Sequence, residues 1–145
     1  GVCIIGAQPE GENPFGMTVN SFSSVSLDPP LVLWSLQNNS DCFAAFERTE
    51  MFSVNVLSQA QQELSNACAK KGNHALAEQD YHFGPAGTPI VNQSACSFEC
   101  KVWARYPGGD HVIIVGEVLS MEADEDACKT PLLFHRGKYS ALQSN

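Results

Sequence analysis

The chain has 145 residues, 43% of them hydrophobic, and sixteen acidic side chains against eight basic ones give a formal net charge of -8. A chain of this length can bury one core, and no low-complexity linker divides it, so we expect a single domain over residues 1–145. The acidic balance argues against nucleic acid as a partner, because neutralising phosphates requires clustered basic side chains. It also disfavours an anionic membrane surface, and no apolar run reaches the roughly eighteen residues of a membrane helix.

Short apolar segments separated by polar turns predict a mostly β organisation. Strands are expected near residues 2–7, 17–23, 31–36, 52–57, 95–106 and 112–122. Helices are expected over 40–48, with Ser40 or Asn39 as the N-cap, and over 59–69. The polar stretch 70–89 is predicted to be a long loop. Many strands with two short helices favour a closed Greek-key barrel over a parallel α/β sheet.

Residues 16–36 place a run of small hydroxyl and amide side chains between two apolar strand segments. Val19, Phe22 and Val25 can face a core. More hydrogen-bond donors and acceptors than a strand needs for itself come from Thr18, Asn20, Ser21, Ser23, Ser24 and Ser26. Such a surface suits a flat ligand with a polar edge. The Asp28-Pro29-Pro30 sequence then interrupts strand pairing, because proline lacks an amide donor.

Two common phosphate-binding motifs are missing from the sequence. It contains neither Gly-x-Gly-x-x-Gly nor Gly-x4-Gly-Lys-Ser/Thr, which argues against a Rossmann domain and a P-loop. The turn at 37–40, between a strand and a helix start, offers backbone amides, hydroxyls and a helix dipole for an anion. An ordinary N-cap explains Ser40 equally well.

Cysteine and histidine spacing argues against metal and hydrolase chemistry. There is no Cys-x2-Cys pair, no His-Glu-x-x-His and no Gly-x-Ser-x-Gly, so we expect no metal site and no serine nucleophile. A chain this large does not need a disulfide framework, so we expect free cysteines, a reducing environment and a cytoplasmic location. The six cysteines are Cys3, Cys42, Cys68, Cys96, Cys100 and Cys128.

The sequence GMTVNSFSSVSLDPPLVLWSL at 16–36 resembles the signature of the flavin reductase-like family, and blocks at 52–57, 109–118 and 131–139 resemble later family segments in the same order. This resemblance implies an FMN-binding split β-barrel and the activity of an NAD(P)H:flavin oxidoreductase that serves a two-component monooxygenase. The opening residues 1–7 resemble the middle of the family's first barrel strand. We therefore expect an N-terminal segment to be missing.

The resemblance also assigns flavin-contacting residues. These are Thr18, Asn20, Ser21, Ser35, Leu36, Asn38, Ser40, Asp41, Cys42, Cys68, Ala69 and Lys70. At the phosphate turn the family commonly carries a serine, an arginine or lysine, and a threonine, where this chain has Ser40, Asp41 and Cys42. The departure removes a cation and a hydroxyl, so phosphate affinity would depend on backbone amides and on Lys70 or Lys71.

For the nicotinamide dinucleotide, the resemblance indicates His111 as the catalytic and substrate-binding residue, and a turn formed by Arg136, Gly137, Lys138 and Tyr139. Gly137 permits close approach of the ligand, and the aromatic ring of Tyr139 can stack on a ring of the ligand. A histidine capping a strand end, and a surface arginine, are the structural alternatives.

The expected function is therefore NAD(P)H-dependent reduction of FMN or FAD by hydride transfer, which supplies reduced flavin to a partner monooxygenase or another acceptor. Hydride transfer requires positioning rather than an acid or base from the protein. The alternative is a non-enzymatic electron carrier with tightly held FMN on the same fold. A homodimer is expected, because a split barrel of this size has limited concavity for two large ligands.

Overall fold

The computed structural model describes residues 1–123 and 132–141, and within them the chain forms strands with a few short helices. The strands are β1 Cys3–Ala7, β2 Phe15–Val19, β3 Ser23–Leu27, β4 Pro30–Gln37, β5 Met51–Val56, β6 Tyr81–Phe83, β7 Pro89–Val91, β8 Cys96–Gly108, β9 His111–Ala123, β10 Leu132–His135 and β11 Lys138–Ala141. The α-helices are α1 Phe43–Glu47 and α2 Gln62–Ala69, and two 3-10 helices cover Gln59–Gln61 and Glu78–Asp80.

Seven strands form one antiparallel sheet in the order β2-β1-β5-β8-β9-β4-β3. The remaining four strands form two separate hairpins, β6-β7 and β10-β11. The prediction of a mostly β protein is therefore confirmed. None of the helices in the described ranges is long and apolar enough to cross a membrane.

The two edge strands of the large sheet, β2 and β3, are consecutive in the chain and are separated by Asn20, Ser21 and Phe22. In a flat sheet, six strand spacings would place these edges about 29 Å apart. The four residue steps from Val19 to Ser23 span at most about 14 Å. The sheet must therefore curl until its edges approach each other. No ladder joins β2 to β3 within the described residues, so the closed barrel stays a prediction.

The curled sheet encloses an aromatic core. Trp34 is completely buried, with its ring centroid 4.8 Å from that of Phe46 and 6.0 Å from that of Phe52. Both contacts have the edge-to-face geometry that aromatic rings prefer. Phe46 is the buried residue of α1, so the aromatic contacts fix this short helix over one end of the sheet.

A second core lies on the other side of β1. Cys3 and Ile5 belong to the first core, whereas Ile4 packs with the second. The second core also contains Leu57, Cys68 of α2 and Leu132 of β10. Because successive residues of a strand point to opposite faces, β1 is buried on both sides. This packing places α2 and the β10-β11 hairpin against the outer face of the sheet.

Three sequence-based element boundaries were wrong. The expected strand at 17–23 is two strands, because the polar segment turns between Val19 and Ser23. The expected helix at 40–48 is only Phe43–Glu47, and its N-cap is Cys42 rather than Ser40 or Asn39. The expected loop at 70–89 contains a 3-10 helix and β6. The expected helix at 59–69 is present, with its first turn in 3-10 geometry.

The described cysteines Cys3, Cys42, Cys68, Cys96 and Cys100 are all free thiols, as expected, and Cys128 lies outside the described residues. Burial raises the pKa of Cys3, Cys42 and Cys100 to about 12 and that of Cys68 to about 11. A thiol that stays neutral at physiological pH is a poor nucleophile and a poor metal ligand.

Glu99 on β8 is a buried carboxylate that organises the turn between β6 and β7. Its oxygens accept hydrogen bonds from the backbone N–H groups of Ala86 and Thr88 at 3.1 Å, and from the hydroxyls of Thr88 at 2.7 Å and Ser120 at 2.8 Å. Burial opposes ionisation, but these hydrogen bonds outweigh it and hold the pKa of Glu99 below its ordinary value. A Cβ added at Gly84 would collide with this carboxylate.

We expect Glu99→Gln to lower the free energy of unfolding by about 1.5–3 kcal/mol, because hydrogen bonds to a charged acceptor are lost and an amide N–H₂ faces donors. The lowered pKa means that ionised Glu99 stabilises the fold above its unfolded-state value, roughly 4.3, and that this stability disappears as the pH falls through the folded-state pKa. Urea unfolding between pH 7 and pH 3 should therefore show a weaker acid dependence in the variant. Glu10→Gln, at an exposed position, is the control, and equal pH profiles for both variants would contradict the assignment.

Candidate functional site

A cavity of about 460 Å³ opens where the two edges of the curled sheet meet. Its walls come from β2, the β2-β3 link, β4, the turn before α1, the end of α2 with the loop that follows it, and the start of β9. The lining residues are Met17, Thr18, Val19, Asn20, Ser21, Ser35, Gln37, Asn39, Ser40, Asp41, Ala69, Lys71, His74 and His111. Cavities of this size suit small-molecule and cofactor ligands.

Strand register explains why the β4 and β9 residues converge. Gln37 pairs with His111 and Ser35 pairs with Ile113. Ser35 and Gln37 therefore project from one face, whereas Leu36 points to the opposite face and is buried in the first core. Because directly paired residues share a face, the register brings Gln37 and His111 together at the same end of the cavity.

Eight of the residues predicted for the flavin and nicotinamide sites line this cavity. They are Thr18, Asn20, Ser21, Ser35, Ser40, Asp41, Ala69 and His111. Three others, Leu36, Cys42 and Cys68, are buried in the two cores. Lys70 is exposed and lies outside the lining, whereas its neighbour Lys71 belongs to it. Asn38 donates a hydrogen bond to the Gly109 carbonyl at 3.3 Å and so holds the β8-β9 turn.

Two of the predicted flavin contacts also hold the fold. The Ser21 hydroxyl accepts a hydrogen bond from the Ser35 backbone N–H at 3.0 Å, which fixes the β2-β3 link on β4. The Thr18 hydroxyl donates to the Ser65 carbonyl at 2.7 Å, which fixes β2 on α2. The hydroxyls of Ser21 and Thr18 were predicted to bind a ligand, but each already makes a hydrogen bond within the protein.

The predicted dinucleotide turn lies apart from the cavity lining. Arg136, Gly137 and Lys138 are exposed, and both residues of the turn, Arg136 and Gly137, have positive φ angles of 51° and 76°. The hydroxyls of Tyr139 and Ser65 lie 2.8 Å apart, and Tyr139 packs on the second core. Tyr139 thus connects the β10-β11 hairpin to α2, and the role of residues 136–139 toward a dinucleotide stays a prediction.

His111 lines the cavity and occupies the first position of β9. Its Nδ1 lies 2.6 Å from Oδ1 of Asp110, and the side chain of Asp110 is 94% exposed. The hydrogen bond from His111 and the charge of its ring lower the pKa of Asp110. This contact fixes the orientation of the imidazole. Gly109, with φ of 71°, provides the left-handed turn that brings β9 back along β8.

Two other lining residues, Asp41 and His74, form a close pair. Oδ1 of Asp41 lies 2.9 Å from Nε2 of His74, and Oδ2 accepts the Gly72 backbone N–H at 2.5 Å. Partial burial opposes ionisation of Asp41, but the bonds from Gly72 and His74 outweigh it and lower the pKa. Cys42 lies within 4.8 Å of both side chains. Its thiol stays neutral, which makes the group a poor metal site, and the expected absence of a metal stays a prediction.

Sequence reasoning missed part of the lining. Gln37 and Asn39 belong to the 37–40 turn that the sequence predicts as an anion site, whereas Met17, Val19 and His74 were not predicted. Met17 and Val19 come from the edge strand β2, which is only partly buried. His74 carries no local signal, because its partners Asp41 and Gly16 are 33 and 58 residues away in the chain.

Comparison with known proteins identifies the family. The family model for the flavin reductase like domain matches residues 1–143. The FMN reductase (NADH) SmoA of Agrobacterium fabrum is 43% identical over 141 residues, covering 96% of this chain and 77% of SmoA. The chain therefore belongs to the flavin reductase-like family, as predicted from its sequence.

Two further similarities extend this result. The reductase subunit HsaB of a flavin-dependent monooxygenase from Rhodococcus jostii is 36% identical over 146 residues, covering 99% of this chain and 72% of HsaB. The structure of the NADH:FAD oxidoreductase SgcE6 from Streptomyces globisporus, in complex with NAD and FAD fragments, matches with a TM-score of 0.90 and 30% identity. That match covers 99% of this chain and 85% of SgcE6.

Proposed function

We propose that this protein is an NADH-dependent flavin reductase that reduces FMN and releases it to a separate monooxygenase. The observation that carries the proposal is the polar cavity beside β2 and the β2-β3 link, which His111 and Lys71 both line. SmoA supports NADH and FMN as the pair of substrates, and HsaB supports a monooxygenase as the acceptor. A cytoplasmic location and the closed, split form of the barrel belong to the same proposal.

The lining residues fit a flavin. When bound, the flavin supplies the ring that accepts hydride from reduced nicotinamide. Asn20, Ser35 and Gln37 offer amide and hydroxyl groups for the polar edge of the ring, and Met17 and Val19 offer apolar contact for its face. A face of roughly 150–250 Å² contributes about 4–6 kcal/mol gross. The polar contacts therefore set orientation more than total affinity.

The chain contributes positioning to the reaction. His111 is placed by its hydrogen bond to Asp110, and the backbone N–H of Asn38 donates to the Asp110 carbonyl at 2.9 Å. These bonds fix the imidazole in the cavity lining, where the nicotinamide would approach. No side chain has to accept or donate a proton for hydride transfer, so alignment of the two rings determines the rate.

The activity test is NADH oxidation by the purified protein with and without added flavin. We expect oxidation only when FMN is added, because the flavin is a substrate that binds and leaves. An electron carrier with tightly held FMN would instead copurify with flavin and show no flavin-dependent NADH consumption. That result would replace the proposed function with the carrier function.

We expect His111→Ala to lower kcat/KM for NADH by roughly 2-fold to 150-fold, the range for loss of one hydrogen bond to a ligand, while leaving flavin affinity nearly unchanged. Stopped-flow reduction with pre-bound flavin over a range of NADH concentrations measures the effect. His82→Ala, at a histidine outside the cavity lining, is the matched control. Wild-type reduction rates, or loss of flavin binding instead, would show that His111 has a structural role.

We further propose a homodimer formed through the outer face of β8, β9 and β4. Along this face, Ser35, Ile113 and Tyr106 pair across three strands, so the cavity residue Ser35 and the half-exposed Tyr106 share one surface. Trp103, at a bulge in β8, is 53% exposed nearby. Exposed aromatic side chains of this kind are enriched at protein interfaces. A second copy on this face would border the cavity and complete its wall.

Sedimentation at micromolar concentration should therefore give a dimer, and Trp103→Glu should give a monomer with weakened flavin binding, because a buried unpaired charge opposes association. Phe83→Glu is the matched control, since Phe83 is 50% exposed but lies on the separate β6-β7 hairpin. A monomeric wild-type protein, or equal effects of the two variants, would contradict the proposed interface.

A further inference from the structure

The charges around the cavity are unusual for a site that accepts a phosphate. Among the described lining residues, Lys71 is the only lysine or arginine and Asp41 is the only carboxylate. The lowered pKa of Asp41 means that it is ionised at neutral pH. An isolated anion at this position would repel a phosphate group. The five-residue α1 that follows is too short for its dipole to offset that repulsion.

His74 lies against the Asp41 carboxylate. Its Nε2 lies 2.9 Å from Oδ1 of Asp41, and its Nδ1 lies 3.3 Å from the Gly16 carbonyl oxygen. A ring N–H at Nε2 donates to the carboxylate, and the side chain of His74 is only 12% exposed. The contact therefore joins the segment before α1 to the turn after α2 in a largely buried position.

The same contacts fix the backbone of the turn after α2. The Gly16 N–H donates to the His74 carbonyl at 2.8 Å, and the Asp41 carboxylate accepts the Gly72 N–H. On the helix side, the Asn73 side chain donates to the Ala67 carbonyl at 3.2 Å. Gly72 has φ of 78°, a left-handed conformation that favours glycine and reverses the chain directly after Lys71. The turn is thus attached to β2, to α2 and to the segment before α1.

We propose that the Asp41–His74 pair is a latch that holds the 70–74 turn against the cavity, so that Lys71 supplies the cation that contacts the flavin phosphate. This inference rests on the proposed flavin-binding function. The latch places the positive charge on the loop after α2, and Asp41 is a positioning residue.

Riboflavin, which has the same ring as FMN but no phosphate, separates this contact from the rest of the site. Titration followed by flavin fluorescence should show that Lys71→Met weakens FMN binding at least about 5-fold, as expected for loss of a partly solvated charge-assisted hydrogen bond, and leaves riboflavin binding unchanged. Arg48→Met is the control, because Arg48 is an exposed cation outside the cavity lining. It should leave both affinities unchanged.

Substitution of Asp41 tests the latch itself. If Asp41 were only an unfavourable anion, Asp41→Asn would strengthen FMN binding. The latch requires the opposite result, a loss of FMN affinity with riboflavin affinity retained, and a loss in the same direction in His74→Gln. The double variant should bind FMN no more weakly than Asp41→Asn alone, because both substitutions break the Asp41–His74 contact, while Asp41→Asn also alters the Gly72 contact.

The possible outcomes separate this inference from the function on which it rests. Failure of the wild-type protein to bind either flavin would remove the flavin-binding function itself. Equal effects of Lys71→Met on FMN and riboflavin, equal behaviour of Lys71→Met and Arg48→Met, or tighter FMN binding by Asp41→Asn would overturn the latch and leave the function standing. Retained riboflavin binding shows that each variant is folded.

Discussion

The architecture depends on the short connection between the two edge strands of the main sheet. Three residues separate β2 from β3, namely Asn20, Ser21 and Phe22. Because this link is short, the seven-stranded sheet has to curl so that its two edge strands come within reach of each other. Curling places the polar end of β2 beside β4 and the start of β9, which are distant along the sheet. The Phe22 ring, whose centroid is 6.0 Å from that of Phe98, anchors this connection in the core. The candidate site exists because the sheet edges are brought together.

The sequence predicts the strands and the location of the site better than it predicts the details of its wall. Alternation along β4 is local information, so the separation of Ser35 from buried Leu36 follows from the strand itself. The contacts of His74 depend on how a loop meets two remote segments, and no local pattern encodes that meeting. The predicted helix at 40–48 was too long because polar side chains near its start form turn contacts, such as the Cys42 N–H with the Ser40 hydroxyl at 3.1 Å.

Hydroxyl side chains in the 16–36 segment serve both the fold and the cavity. The Ser21 hydroxyl accepts a hydrogen bond from the backbone of β4, and the Thr18 hydroxyl donates one to the backbone of α2. A count of donors and acceptors in the sequence therefore overestimates those available to a ligand. The residues that remain for recognition include amides, such as Asn20 and Gln37.

The burial of β1 on both faces has a consequence for how the protein unfolds. Cys3 and Ile5 pack with the aromatic core, and Ile4 packs with α2 and the β10-β11 hairpin. Neither layer can separate without exposing the same strand to water, so the two cores lose their packing together. We therefore expect the outer helix and hairpin to unfold as one cooperative unit with the curled sheet, and the backbone amides of β1 to be among the most slowly exchanging.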